Sequence, residues 1–215
     1  MSEVKIDDEA VLWSASAADR AGRPHLVLLH GYNSNEGDLF GLSPYLPLQP
    51  VIASVRAPIY AGYGYAWFPL LAEGAELSIE GADAATDAIL AWLDRVVPDG
   101  APVGLLGFSQ GGAMALELLR RAPERFDFAV SLAGFVLPGD REGDGDARLA
   151  ELALPVFWGR GTADTVIPDA SISRTRDWLP AHSSLDERIY EGLAHSVSEL
   201  ELADAAAFLR AQYTA

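Results

Sequence analysis

An α/β fold is predicted for this 215-residue chain, with a mostly parallel central sheet of about seven strands and helices on both faces. Two observations predict it. Short apolar runs rich in Val, Leu and Ile alternate with longer stretches patterned as helices, the order expected of strand–helix units. Within the runs the hydrophobicity is continuous rather than alternating, as in strands buried on both faces.

In chain order the expected strands are Ala10–Trp13, Leu26–His30, Val51–Val55, Pro102–Phe108, Phe128–Ala133, Pro155–Trp158 and Glu187–Tyr190. The first helix is expected over Ala82–Val97, where Ile89, Leu90, Trp92, Leu93 and Val96 recur at helical spacing before the stop Pro98-Asp99-Gly100. Gln110–Ala122 ends at Pro123 and carries Arg120 and Arg121 in its last turn, where cations complement the helix dipole. Asp169–Leu179 and Ser196–Gln212 complete the set. Two stretches read as irregular: Pro58–Gly81, aromatic and glycine-rich, and the acidic, glycine-rich Pro138–Asp146. No internal repeat or long linker divides the chain, so a single domain over residues 1–215 is expected.

Composition narrows the function. Thirty-one acidic against 15 basic residues give a formal net charge of −16, without the cationic clusters that displace counterions from nucleic acid. The same charge disfavours an anionic membrane surface. No apolar run reaches the ~18 residues of a membrane span, and the acidic N-terminus has no apolar signal segment, so a cytoplasmic location is expected. With no cysteine there is neither a disulfide nor a thiolate metal site, and no cofactor or metal is expected. A homodimer stays open.

Chemistry enters at Gly107-Phe108-Ser109-Gln110-Gly111, a G-x-S-x-G motif placed between a predicted strand and a predicted helix. That context is the sharp turn that lifts a nucleophilic serine above the sheet edge, with glycines where side chains would collide with the neighbouring elements. A serine hydroxyl needs a base, and in an α/β-hydrolase the order is Ser, acid, His. Of four histidines only His182 and His195 follow the serine; His195 lies in a loop after the last strand, whereas His182 looks like a surface or capping residue at a helix end. Asp164 follows the strand Pro155–Trp158 and is the expected acid. The oxyanion donors would be the backbone N–H groups of Gln110 and, after His30-Gly31, of Tyr32. Tyr63, Tyr65, Trp67 and Phe68 are candidates for an apolar substrate wall.

Together these segments resemble the small carboxylesterase/phospholipase family of α/β-hydrolases that includes the acyl-protein thioesterases. The resemblance rests on Leu28-Leu29-His30-Gly31 with Asn35-Glu36-Gly37-Asp38-Leu39, Arg56-Ala57-Pro58, Trp67-Phe68, Gly107–Gly112, Gly161–Pro168 and His195. It implies a serine carboxylesterase acting on carboxylic esters or thioesters, with no large lid and no metal. Lysophospholipase or acyl-protein thioesterase activity, acyl transfer, and a non-catalytic ligand-binding hydrolase body are the alternatives. Three positions depart from the family pattern: Asn33 in place of Gly, Pro69 in place of Asp after Trp-Phe, and Arg160 in place of His before Gly161.

Overall fold

The computed structural model describes residues 4–70, 79–98, 100–139 and 144–214. Its elements run β1 (Leu12–Trp13), β2 (His25–Leu29), α1 (Glu36–Phe40), β3 (Val51–Val55), β4 (Ile59–Tyr60), β5 (Tyr65–Ala66), α2 (Ile79–Val96) and β6 (Val103–Phe108). There follow α3 (Gln110–Arg121), β7 (Phe128–Leu132), α4 (Gly145–Leu152), β8 (Pro155–Gly161), α5 (Asp169–His182), β9 (Ser184–Tyr190) and α6 (Glu199–Gln212). Seven strands form one sheet in the order β1-β3-β2-β6-β7-β8-β9. Every pair in it is parallel except β1 with β3, and β4–β5 is a separate antiparallel hairpin.

The continuous apolar runs are continuous because both faces of the sheet are covered. Leu26 and Leu28 of β2 join Ile52, Leu106, Val130 and Phe157 in one core, closed by Leu39 of α1 and by Leu202 and Leu209 of α6. Val27 and Leu29 turn the other way, with Ala53, Val55 and Leu105, toward Ile89 and Trp92 of α2, Met114 of α3 and Leu179 of α5.

This topology fixes where a site can form. From β2 the chain moves outward to β3, whereas from β6 it moves the opposite way through β7 and β8 to β9. The connections diverge at the carboxyl ends of β2 and β6 and leave a crevice between them. His30-Gly31 follows β2, Ser109 follows β6, Asp164 follows β8 and His195 follows β9, so all four segments open on one sheet edge.

Several elements differ from expectation. The β1 region is shortened by a 3-10 turn over Asp8–Ala10, whose start is capped by the Asp7 side chain accepting from Glu9 N–H. β9 begins three residues early, and its Asp186, Glu187 and Arg188 sit on a sheet edge, where charge blunts unwanted pairing. α5 runs past Pro180 to His182, whose imidazole stacks on Trp178 at 4.0 Å and bonds the Trp178 carbonyl, capping the helix. Arg120, in the last turn of α3 as expected, is buried and lies 2.6 Å from Asp146. The hairpin β4–β5 lies within the stretch read as irregular, and α4 starts at the end of the other; residues 71–78 and 140–143 of those stretches lie outside the described residues. Among the described residues no helix is long and apolar enough to cross a membrane.

One buried charge is unbalanced. Glu201 of α6 is 1% exposed and packs over Gly159 of β8, and neither carboxylate oxygen has a hydrogen-bond partner among the described residues. Burial pushes its carboxyl up from 4.5 to about 7, with the Asp204 charge adding to the shift. A carboxyl that holds its proton more tightly when folded lowers stability as pH rises between those two values, by on the order of 3 kcal/mol. Urea unfolding at pH 5 and pH 8 should show wild type losing stability between them and Glu201→Gln losing much less. An equal loss in both proteins would contradict the assignment.

Candidate active site

The turn after β6 is strained. Ser109 has φ 55° and ψ −117°, a conformation that costs about 1–3 kcal/mol in a residue with a side chain. Packing holds it there. A Cβ on Gly107 would stand 2.1 Å from the Gly111 carbonyl oxygen, and one on Gly111 would stand 1.8 Å from that of Leu29. Only glycines let α3 approach the ends of β6 and β2 this closely. The Ser109 N–H donates to the Leu132 carbonyl of β7 at 2.8 Å, which ties the turn to the next strand.

Two loops bring acid and imidazole to that serine. His195 Nε2 lies 2.9 Å from Ser109 Oγ, and its Nδ1 lies 2.7 Å from Asp164 Oδ2. Because a carboxylate only accepts, the Nδ1 proton points at Asp164 and the Nε2 lone pair at the serine hydroxyl. Asp164 is itself fixed by its second oxygen, which accepts from the Val166 N–H at 2.8 Å and the Ile167 N–H at 3.3 Å. The Phe108 ring packs 5.0 Å from the imidazole. His182 lies at the far end of α5 in the capping contact described above.

The loop after β2 is set by a second histidine. His30 is fully buried; its Nε2 accepts from the Ala57 N–H at 3.1 Å, which leaves the proton on Nδ1, donated to the Gly31 carbonyl at 2.8 Å. Burial lowers its pKa and favours this neutral form. The Gly31 carbonyl also accepts from the Ser34 N–H. Since the Tyr32 N–H points opposite to that carbonyl across the trans peptide, pinning one aims the other, and the Tyr32 N–H has no acceptor among the described residues. The Gln110 N–H, at the first residue of α3, is one of the donors a helix start leaves unpaired.

A side-chain role that sequence reading missed belongs to Gln110. Its Oε1 accepts from the Trp67 N–H at 2.9 Å and its Nε2 donates to the Phe68 carbonyl at 2.7 Å. The Trp67 indole N–H in turn donates to the His30 carbonyl at 2.8 Å. The signal was the glutamine directly after the serine, where a backbone donor alone would tolerate any side chain. These bonds also correct the expected aromatic wall. Trp67 and Phe68 are 0% exposed and brace the turn from behind, Tyr63 is 97% exposed, and Tyr65 packs under the Arg56 guanidinium at 4.7 Å. None of the four lines the cleft over Ser109. That cleft, of about 780 Å³, is walled instead by Tyr32, Leu70, Phe108, Phe135, Val166 and Ile167. Among the described residues no cluster of His, Asp and Glu is arranged to hold a metal ion.

A model of the phospholipase/carboxylesterase family matches residues 14–213. The chain belongs to that family. Acyl-protein thioesterase 1 of Kluyveromyces lactis is 28% identical over 204 residues, covering 86% of this chain and 90% of that protein. Among solved structures, a Bacillus cereus carboxylesterase superposes with TM-score 0.78 at 22% identity, covering 94% of this chain and 93% of its own. Esterase PE8 superposes with TM-score 0.78 at 26% identity, covering 97% and 99%. The fold of this family member is thus the α/β-hydrolase fold.

Its departures from the family pattern have local explanations at two positions. Asn33 has φ 59°, a left-handed conformation that asparagine tolerates, and its side-chain oxygen accepts from the N–H groups of Tyr63 and Gly64. The amide thereby fastens the hairpin to the loop after β2. Arg160 lies 3.9 Å from Glu187 and over the Trp158 ring. Nothing in the structure explains Pro69.

Replacing Gln110 by Ala would keep its backbone N–H and strip two buried partners from Trp67 and Phe68. A stability loss of about 2–4 kcal/mol is expected in urea unfolding. An unchanged midpoint would show that the glutamine does not hold this segment.

Proposed function

We propose that this protein is a serine esterase that hydrolyses carboxylic esters or thioesters of small or medium acyl chains through a Ser109–His195–Asp164 triad. The observation that carries the reading is the unbroken hydrogen-bonded relay from Asp164 through His195 to Ser109 at the foot of a cleft. An arrangement kept only for ligand binding has no need of a strained serine bonded to an oriented imidazole.

The chemistry is a two-step acyl transfer. His195 Nε2 takes the Ser109 proton as Oγ attacks the acyl carbon, and Asp164 stabilises the imidazolium that results. The N–H groups of Tyr32 and Gln110 receive the oxyanion, each donor contributing on the order of 3 kcal/mol to the transition state. The C–O or C–S bond then breaks, His195 protonates the leaving alcohol or thiol, and water repeats the sequence on the acyl-enzyme. The resemblance to an acyl-protein thioesterase favours including thioesters among the substrates.

Hydrolysis of p-nitrophenyl esters of graded acyl length tests this directly. Turnover is expected to be greatest for short and medium chains and to fall by at least about 10⁴-fold in Ser109→Ala. Wild-type turnover that survives in the folded mutant would rule out Ser109 as the nucleophile.

A further inference from the structure

The cleft over Ser109 is mostly apolar, yet it contains one cation. Arg174 is the single Arg or Lys among the described residues that line it. It projects from α5 one turn beyond Ser171, another lining residue, and its Nη1 donates to the Val136 carbonyl at 3.1 Å. That bond places the guanidinium beside Phe135 and Pro138, both part of the cleft wall. A guanidinium has five N–H donors, and the others have no acceptor among the described residues. No carboxylate there forms an ion pair with it, although the chain carries 31 acidic residues. Two other arginines behave otherwise: Arg56 pairs with Glu36 and Arg120 with Asp146.

Anchoring the wall uses one of these donors only. The same job is already done by Thr175, whose hydroxyl accepts from the Val136 N–H at 2.8 Å. We propose that Arg174 is a specificity residue that binds a carboxylate carried by the substrate, so that the preferred substrates are esters or thioesters bearing a negative charge away from the scissile bond. This rests on the esterase reading above. Three features give it direction. Planar, forked guanidinium donors match a carboxylate in two-point geometry. The net charge of −16 repels anions, so an anionic substrate needs a local cation to remain in the cleft. The other fixed charge on the lining, Asp38, sits beside Ser34 on the Tyr32 side, away from α5, which leaves the Arg174 wall as the anionic end. The reaction itself is unchanged: water adds across the ester bond, the acyl carbon gains hydroxyl, the leaving oxygen gains the proton, and the distal carboxylate stays intact.

The test compares matched pairs of esters by kcat/KM. For a carboxylate on the acyl side the pair is mono-p-nitrophenyl adipate against p-nitrophenyl hexanoate. For the alcohol side it is the butanoate ester of 4-hydroxybutanoate against pentyl butanoate. Wild type is expected to favour the charged member of one pair by roughly 10- to 100-fold, as a charge-assisted hydrogen bond provides. In Arg174→Gln that ratio should fall toward one, and in Arg174→Lys part of it should return. Because the readout is a ratio within one protein, partial loss of folded enzyme does not move it. A wild-type ratio near one in both pairs, or a ratio that Arg174→Gln leaves intact, would overturn the proposal while hydrolysis of the neutral esters leaves the esterase reading standing. Failure to hydrolyse any of the four would overturn both.

Discussion

The structure depends on a backbone held where it would not otherwise go. Ser109 occupies a conformation that an isolated chain avoids, and it remains there because α3 is pressed against the ends of β2 and β6 with no room to relax. The strain is offset by the cores on both faces of the sheet, which fix the strands from which the turn is hung. A serine on a relaxed helix start would point along the sheet edge instead of into the crevice. Residues on the β8 and β9 loops could then not reach it in one hydrogen-bonded line.

Around that turn the site is braced by bonds among its own supporting residues. Gln110 grips the Trp67–Phe68 backbone, Trp67 holds the end of β2, and His30 clamps the Gly31 peptide. Asn33 closes the circuit by tying the same loop to the hairpin. All of these bonds except the exposed one from the Tyr63 N–H to Asn33 are buried or partly buried, where an unpaired partner costs about 1–3 kcal/mol. The two N–H groups proposed to meet the oxyanion are therefore positioned before any substrate arrives, which is the condition under which such donors accelerate acyl transfer.

Much of this was legible in the sequence, for identifiable reasons. Strands β2, β3, β6 and β7 announce themselves because burial on both faces leaves uninterrupted apolar runs, as in Leu26-Val27-Leu28-Leu29. The edge strand β9 opens on Ser184-Leu185-Asp186, which has no apolar run to mark it, and so hides its first half. The hairpin β4–β5 is two residues per strand, too short for any period to register. Ser109, Asp164 and His195, which the structure brings into one hydrogen-bonded line, could be selected as candidates because chain order and strand ends leave few alternatives. The lining of the cleft could not. Aromatic residues in a loop carry no mark of whether they face a cavity or a core, and Trp67 and Phe68 face the core. Arg174 lies on a helix without any motif, and its place on the cleft wall is fixed by a contact with Val136 from another element.

The central claim is that the strained serine, and no other, receives the acyl group. Its most direct test is intact-mass and peptide mass spectrometry after exposure to a fluorophosphonate, which phosphonylates a serine activated by a neighbouring base. A single adduct on the peptide containing Ser109 is the predicted result. A folded protein that stays unlabelled, or carries its adduct on another serine, would contradict it.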